Sequence, residues 1–174
     1  MRSIFILLLV LGHIIPSNAQ EIPKPVKAEL VSDISAVKPG DSFNLGVLFK
    51  IDPGWHIYWR NPGDSGLPTT VEFMVPTDYK TGALNWPAPQ VFQNNQGGTD
   101  YGYADTVLLW SSIEVPENAN VNSQAVVEAQ LSWLSCKEIC IPGKANLKYD
   151  IKIGNLTNSA NEYLFSKWLN RIDQ

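Results

Sequence analysis

Phe43-Asn44-Leu45-Gly46-Val47-Leu48-Phe49-Lys50-Ile51 decides the fold: Phe43, Leu45, Val47, Phe49 and Ile51 fall on one face, and Asn44, Gly46 and Lys50 on the other. A β-strand sends successive side chains to opposite faces, so a period of two marks a half-buried strand. Two later segments repeat the pattern. Val127, Ala129, Leu131 and Trp133 alternate against Glu128, Gln130 and Ser132, and Leu147, Tyr149, Ile151 and Ile153 against Asn146, Lys148, Asp150 and Lys152. Shorter strands are expected over Val26–Ile34, His56–Arg60, Thr70–Val75 and Val107–Val115. Turn chemistry separates them at Lys38-Pro39-Gly40-Asp41, Asp52-Pro53-Gly54, Asn61-Pro62-Gly63-Asp64 and Pro116-Glu117-Asn118. About seven or eight short strands with Pro/Gly punctuation predict an all-β, immunoglobulin-like β-sandwich.

Two stretches leave this rhythm. Pro87–Asp105 is long, polar and glycine-containing, with Gly97-Gly98 and Asp100-Tyr101-Gly102-Tyr103. It reads as a loop, and loops of that length are often functional; a plain hairpin tip is the other reading. Ser159–Ile172 offers Ser159 as an N-cap with Glu162 three residues on, then Tyr163, Leu164, Phe165, Trp168, Leu169 and Ile172 at helical spacing. A short carboxy-terminal helix packed on the sandwich is expected there.

The amino terminus has the form of a secretory signal. Arg2 is followed by the apolar run Ile4–Gly12, extended by Ile14 and Ile15, and Ser17-Asn18-Ala19 supplies small residues for cleavage after Ala19. The run is short for a membrane span and Pro16 ends it. The expected organisation is a signal peptide over 1–19 and one domain over 20–174, with the sandwich at about 26–153 and the helix at about 159–172. Arg2 is the leader's one basic residue, so the remainder carries 12 Lys and Arg against 17 Asp and Glu. Without a basic stripe, no nucleic-acid partner is expected. A monomer is expected.

Cys136 and Cys140 are the only thiols, in Trp133-Leu134-Ser135-Cys136-Lys137-Glu138-Ile139-Cys140-Ile141-Pro142. In an oxidising compartment such a pair is normally a disulfide. Closing so short a loop stabilises a fold by about 2 kcal/mol, against about 4.7 for a loop of about 100 residues. The pair therefore adds little stability or exists for its chemistry, and this spacing alone leaves both readings open. Strand parity puts Cys136 on the outer face as its strand ends, with Lys137-Glu138-Ile139 turning and Cys140 starting the return. Beyond the leader, His56 is the only histidine and Met74 the only methionine. A structural zinc site wants four N or S ligands, so no metal cofactor is expected, although copper(I) on two thiolates is a further reading. No G-x-S-x-G, H-E-x-x-H or phosphate-binding glycine loop is present. The aromatic run Asp52–Pro68 reads from composition as a strand between two tight turns, its aromatics in the core.

Pro53-Gly54-Trp55-His56-Ile57-Tyr58-Trp59-Arg60-Asn61-Pro62-Gly63-Asp64-Ser65-Gly66 resembles a signature of the periplasmic amino-terminal domain of the DsbD and ScsB thiol:disulfide interchange proteins. Asn85-Trp86-Pro87-Ala88-Pro89, Tyr101-Gly102-Tyr103 and Trp133–Pro142 follow in the family's order, so the resemblance covers roughly Val26 to Ile153. The W-L-x-C-K-E-x-C cysteine motif is nearer the ScsB-like branch. The resemblance implies an immunoglobulin-like domain with a protein-disulfide-reductase-like activity. Such a domain relays electrons from a membrane-embedded partner to periplasmic thioredoxin-fold oxidoreductases, with a link to cytochrome c biogenesis. It implies Cys136 and Cys140 as the redox pair, Cys140 bonding the partner and Cys136 resolving. It also implies a cap loop at Asp100, Tyr101, Gly102 and Tyr103, with His56, Tyr58 and Trp59 lining the site. Full members continue into a membrane hub and a thioredoxin-like domain that the sequence to Gln174 does not include, as in a free-standing relative or a piece of a longer protein. A non-catalytic immunoglobulin-like binding module with a structural disulfide is the alternative, alongside a copper(I)-binding protein.

Overall fold

In the computed structural model, which describes residues 23–94 and 97–171, the alternating segments pair into two packed sheets. In chain order the strands are β1 (Val26–Ser32), β2 (Ile34–Val37), β3 (Ser42–Ile51), β4 (His56–Gly63), β5 (Thr70–Met74) and β6 (Lys80–Thr81). Then come β7 (Gln90–Gln93), β8 (Thr99–Ala104), β9 (Thr106–Glu114), β10 (Gln124–Cys136), β11 (Cys140–Ile153) and β12 (Asn158–Ser159), followed by the helix α1 (Glu162–Leu169). One sheet runs β1-β3-β9-β6; the other runs β12-β2-β11-β10-β4-β8-β7, with β5 also paired to β10. The fold is an immunoglobulin-like β-sandwich with a short carboxy-terminal helix. The expected signal peptide lies outside the described residues.

Parity places the core. Leu45, Val47, Phe49 and Ile51 of β3 and Val107, Leu109 and Ile113 of β9 are buried, as are Val127, Ala129 and Leu131 of β10. These inner faces meet as in any aligned sandwich. Leu48, Leu108 and Trp110 have the opposite parity and are buried too, in one cluster with Trp86, Phe165 and Trp168. The helix and the Trp86 segment thus add a third layer over the outer face of the β3–β9 sheet. Asn85-Trp86-Pro87-Ala88 ties this layer down: the Asn85 N–H donates to the Trp110 carbonyl at 2.7 Å and the Ala88 N–H to the Arg171 carbonyl at 2.6 Å.

The helix begins differently from expectation. Its N-cap is Asn161, at φ 48°, with no side-chain cap, and the Ser159–Glu162 capping box does not form. Ser159 is committed to β12, paired with Ile34. The Asn161 amide instead donates to the Ser32 carbonyl at 3.0 Å, anchoring the helix entry to β1. The Pro87–Asp105 stretch, read as a loop, contains β7 and β8.

If α1 is an integral layer, Trp168→Ala should destabilise the domain by roughly 3 kcal/mol, the usual cost of emptying a buried aromatic site. Urea unfolding measures this; a change within a few tenths of a kcal/mol would show the helix to be detachable.

Candidate functional site

The cysteines close the longest hairpin. β10 and β11 keep one register from Gln124↔Lys152 to Cys136↔Cys140, and the last pair, with Cα atoms 4.1 Å apart, is joined by a disulfide. The indole of Trp133 lies across its partner Gly143, where a Cβ would come within 2.2 Å of the ring. The Lys137-Glu138-Ile139 turn is exposed, and so is Cys140, whereas Cys136 is only 3% accessible. Parity does put Cys136 on the outer face of its sheet, but β4 continues the sheet beside it, pairing Ser135↔Ile57 and Cys136↔His56. Cys136 therefore sits between Cys140 on one neighbouring strand and His56 on the other.

The pleat sorts the remaining expected residues into two sets. His56 and Tyr58 share the cysteine face of β4. β8 pairs His56↔Ala104 and Tyr58↔Gly102, which brings Gly102 and Asp100 to that face. A Cβ on Gly102 would lie 2.1 Å from the Ile57 carbonyl oxygen, so β8 approaches β4 only as glycine there. Trp59, Tyr101 and Tyr103 point the other way. Trp59 meets Tyr101 edge-on at 6.4 Å, and the buried Tyr103 hydroxyl donates to the Pro87 carbonyl at 2.7 Å. Asp100–Tyr103 lie in strand β8 rather than in a covering loop, because they are hydrogen-bonded between β4 and β7. Phe92 of β7, a residue sequence reasoning missed, enters the site as well. It pairs with Asp100 and stacks on His56 at 4.6 Å and 17°. His56, Tyr58, Ser65, Phe92, Asp100, Cys136 and Cys140 line one cavity of about 260 Å³. A larger groove of about 460 Å³ between Pro23–Ala28 and Trp133–Ala145 is on the opposite face of the hairpin and lacks the disulfide.

The turn after β4 is a clamp on β8. Gly63, at φ 92°, packs where a Cβ would meet the Thr99 carbonyl oxygen at 2.3 Å. The Thr99 N–H donates to the Asp64 carboxylate at 2.7 Å, and the Asp64 N–H to the Thr99 carbonyl at 3.0 Å. Ser65 then donates twice to Asp100, from its N–H at 2.9 Å and its hydroxyl at 2.6 Å. Asn94 donates to the same carboxylate at 3.4 Å. Gly66, at φ 84°, lies against the Tyr58 ring, with no room for a side chain. The Pro62–Gly66 motif thus holds a carboxylate, 2% accessible, beside the cysteine cavity.

Electrostatics single out His56. Its Nε2 is buried and has no hydrogen-bond partner among the described residues. Burial lowers its pKa from the ordinary 6.5, against the upward pull of Asp100. Tyr58 is pushed up by burial, with the Ser65 hydrogen bond opposing and Asp100 reinforcing. Among the described residues no group of three or more His, Cys, Asp or Glu is placed to hold a metal ion.

Two outcomes follow from this geometry. Ser65→Ala leaves the buried Asp100 short of a donor and should cost roughly 1–3 kcal/mol, read by urea unfolding. Since His56 binds its proton less readily folded than unfolded, its contribution to stability is present above 6.5 and is lost as pH falls through that value toward the lower folded one. The difference in urea midpoint between the unsubstituted protein and His56→Gln should therefore change between about pH 7.5 and about pH 5, and a constant difference contradicts the assignment.

The sequence matches the family described as thiol:disulfide interchange protein DsbD, N-terminal, over residues 23–150. No curated protein matches it. The amino-terminal periplasmic domain of ScsB from Proteus mirabilis superposes with a TM-score of 0.62 at 17% identity, a likeness of fold. The match covers 86% of this chain and 55% of that one, so the chain spans about half the length of the ScsB structure. The reduced DsbD amino-terminal domain of Neisseria meningitidis gives 0.36 at 15% identity, over 76% of this chain and 90% of that one. The complex of the DsbD and PilB amino-terminal domains of Neisseria meningitidis gives 0.38 at 16%, over 76% and 88%. Because the matched residues run from β1 through most of β11 and include the Pro62–Gly66 clamp and both cysteines, the chain belongs to the DsbD amino-terminal domain family.

Proposed function

We propose that this domain is a periplasmic thiol–disulfide exchange module whose working bond is Cys136–Cys140. The observation that carries the reading is the asymmetry of that bond, which joins an exposed Cys140 to a buried Cys136 at the mouth of a lined cavity. Exchange proceeds by attack of a thiolate on one sulfur of a disulfide. A partner thiolate reaches Cys140; the Cys136–Cys140 bond breaks, and its electron pair leaves on the Cys136 sulfur. The partner's second thiol then attacks the mixed disulfide at the partner's own sulfur and releases Cys140. The pair has gained two electrons and the partner has become a disulfide. In the delivering direction the steps reverse: Cys140 attacks the acceptor's disulfide and Cys136 resolves it.

The donor is a membrane electron-transfer partner and the acceptors are periplasmic thioredoxin-fold oxidoreductases. A signal peptide cleaved after Ala19 precedes one domain over residues 20–174, which works as a monomer without a cofactor. His56, Tyr58, Asp100 and Gly102 line the site. Phe92, stacked on His56 in the same cavity, takes the place of a cover, a role suited to keeping small oxidants from a reduced pair. Trp59, Tyr101 and Tyr103 act through the framework, since they face away from the cysteines.

Equilibration with glutathione should place the pair's potential above about −300 mV, whereas a lower value marks a structural bridge. With an oxidised thioredoxin-fold partner, Cys136→Ser should accumulate a mixed disulfide at Cys140. Cys140→Ser, with its remaining sulfur buried, should accumulate at least about tenfold less, in line with the dependence of exchange on access. Equal trapping by the two variants would refute the assigned roles. Partner binding that survives replacement of both cysteines, with no electron transfer by the unsubstituted protein, would point to the binding-module alternative.

A further inference from the structure

We propose that His56 is the proton-holding partner of Cys136: when the disulfide opens, the imidazole takes up a proton and Cys136 persists beside it as a thiolate. This rests on the exchange reading above and deepens it. Cys136 and His56 are directly opposed on β10 and β4, on the same face, and line the same cavity. Directly opposed residues on antiparallel strands have Cβ atoms about 4.5–5.5 Å apart, within the range over which one charge governs another's protonation. The ring cannot swing away freely. Phe92 stacks on one side at 4.6 Å and Tyr58 meets it edge-on at 5.1 Å.

The disulfide form leaves Nε2 in an odd position. It is buried and unpartnered among the described residues, and a buried polar atom without a hydrogen bond is costly. The neighbouring sulfur, locked in a disulfide, is uncharged. Opening the bond changes that neighbour into a buried anion. A protonated imidazole carries an N–H at Nε2, and its charge offsets that of the new anion on the directly opposed residue.

The surrounding charges favour such a proton on His56. Asp100 faces the cavity from β8, and Tyr58 shares β4 with His56. Lys137 and Glu138 approach from the exposed hairpin turn with opposite signs and are screened by water. A Cys136 thiolate alone would face burial and the Asp100 carboxylate, both of which favour the thiol. It would then leave slowly, because exchange is faster when the leaving thiol is more acidic. Asp100 acts in the reverse sense on His56, favouring the imidazolium. The reaction balances as any disulfide reduction does: two electrons and two protons enter, one proton residing on the Cys140 sulfur and one on His56.

The test uses the full domain reduced with a phosphine, so it needs no partner. A failure of exchange with thioredoxin-fold proteins would not affect it. In Cys140→Ser, Cys136 is the only thiol, and its ultraviolet thiolate absorbance is followed against pH. Adding His56→Gln should raise the thiolate midpoint by about one pH unit or more, as loss of an adjacent positive charge does. Adding His56→Phe, which keeps a ring against Phe92, should do the same. In the unsubstituted protein, the His56 ring resonances should titrate at higher pH after reduction than before. An unchanged thiolate midpoint in both folded variants, or a His56 titration that is identical in the two redox states, would overturn the proposal.

Discussion

The unbroken register of the β10–β11 hairpin is the constraint on which the rest of this structure depends. Each backbone pair from Gln124↔Lys152 onward fixes the next, and the series ends with Cys136 opposite Cys140. A slip of one residue would send every side chain of a strand to the other face. It would expose Val127, Ala129 and Leu131 and bury Glu128 and Gln130. Core packing therefore sets where the sulfurs meet, some distance from the packed residues themselves. The cross-strand pair Glu128–Lys148, on the solvent side, agrees with the same register.

The second layer of organisation is the cost of buried polar groups. Asp100 is almost wholly enclosed, and the turn Pro62–Gly66 answers it with two donors from Ser65. That requirement explains a motif rich in residues with little to contribute to a core. Gly63 and Gly66 allow the backbone to pass close to Thr99 and to the Tyr58 ring, while Asp64 holds the end of β8. His56 is the contrasting case: among the described residues its Nε2 has no hydrogen-bond partner in the disulfide form.

The sandwich was legible because its strands alternate cleanly: β3, β10 and β11 each announce their buried face. β7 and β8 were not, because Asp100 and Gly102 are poor strand formers and their pairing is dictated by contacts with β4. Their alternation was present, with Tyr101 and Tyr103 against Asp100 and Gly102, but its polar side faces a covered cavity rather than water. The cysteine pair and the aromatic run were visible as motifs. Proximity in a motif does not give facing, so Trp59, Tyr101 and Tyr103 could be separated from His56 and Tyr58 only by register. Phe92 carried one weak signal, a large apolar ring between Gln90 and the polar run Gln93–Asn95. The helix start was misplaced because Ser159 had a stronger claim in strand pairing than in capping.

The turn at the cysteine end has a consequence for shape. Lys137-Glu138-Ile139 stands out from the sheet, with Ile139 59% accessible immediately before Cys140. Cys140 is thus carried at the foot of an exposed turn, on the rim of the cavity that it shares with Cys136 and His56. On the exchange reading proposed above, a partner that reaches Cys140 meets this exposed turn first, so its surface has to accommodate the Ile139 side chain.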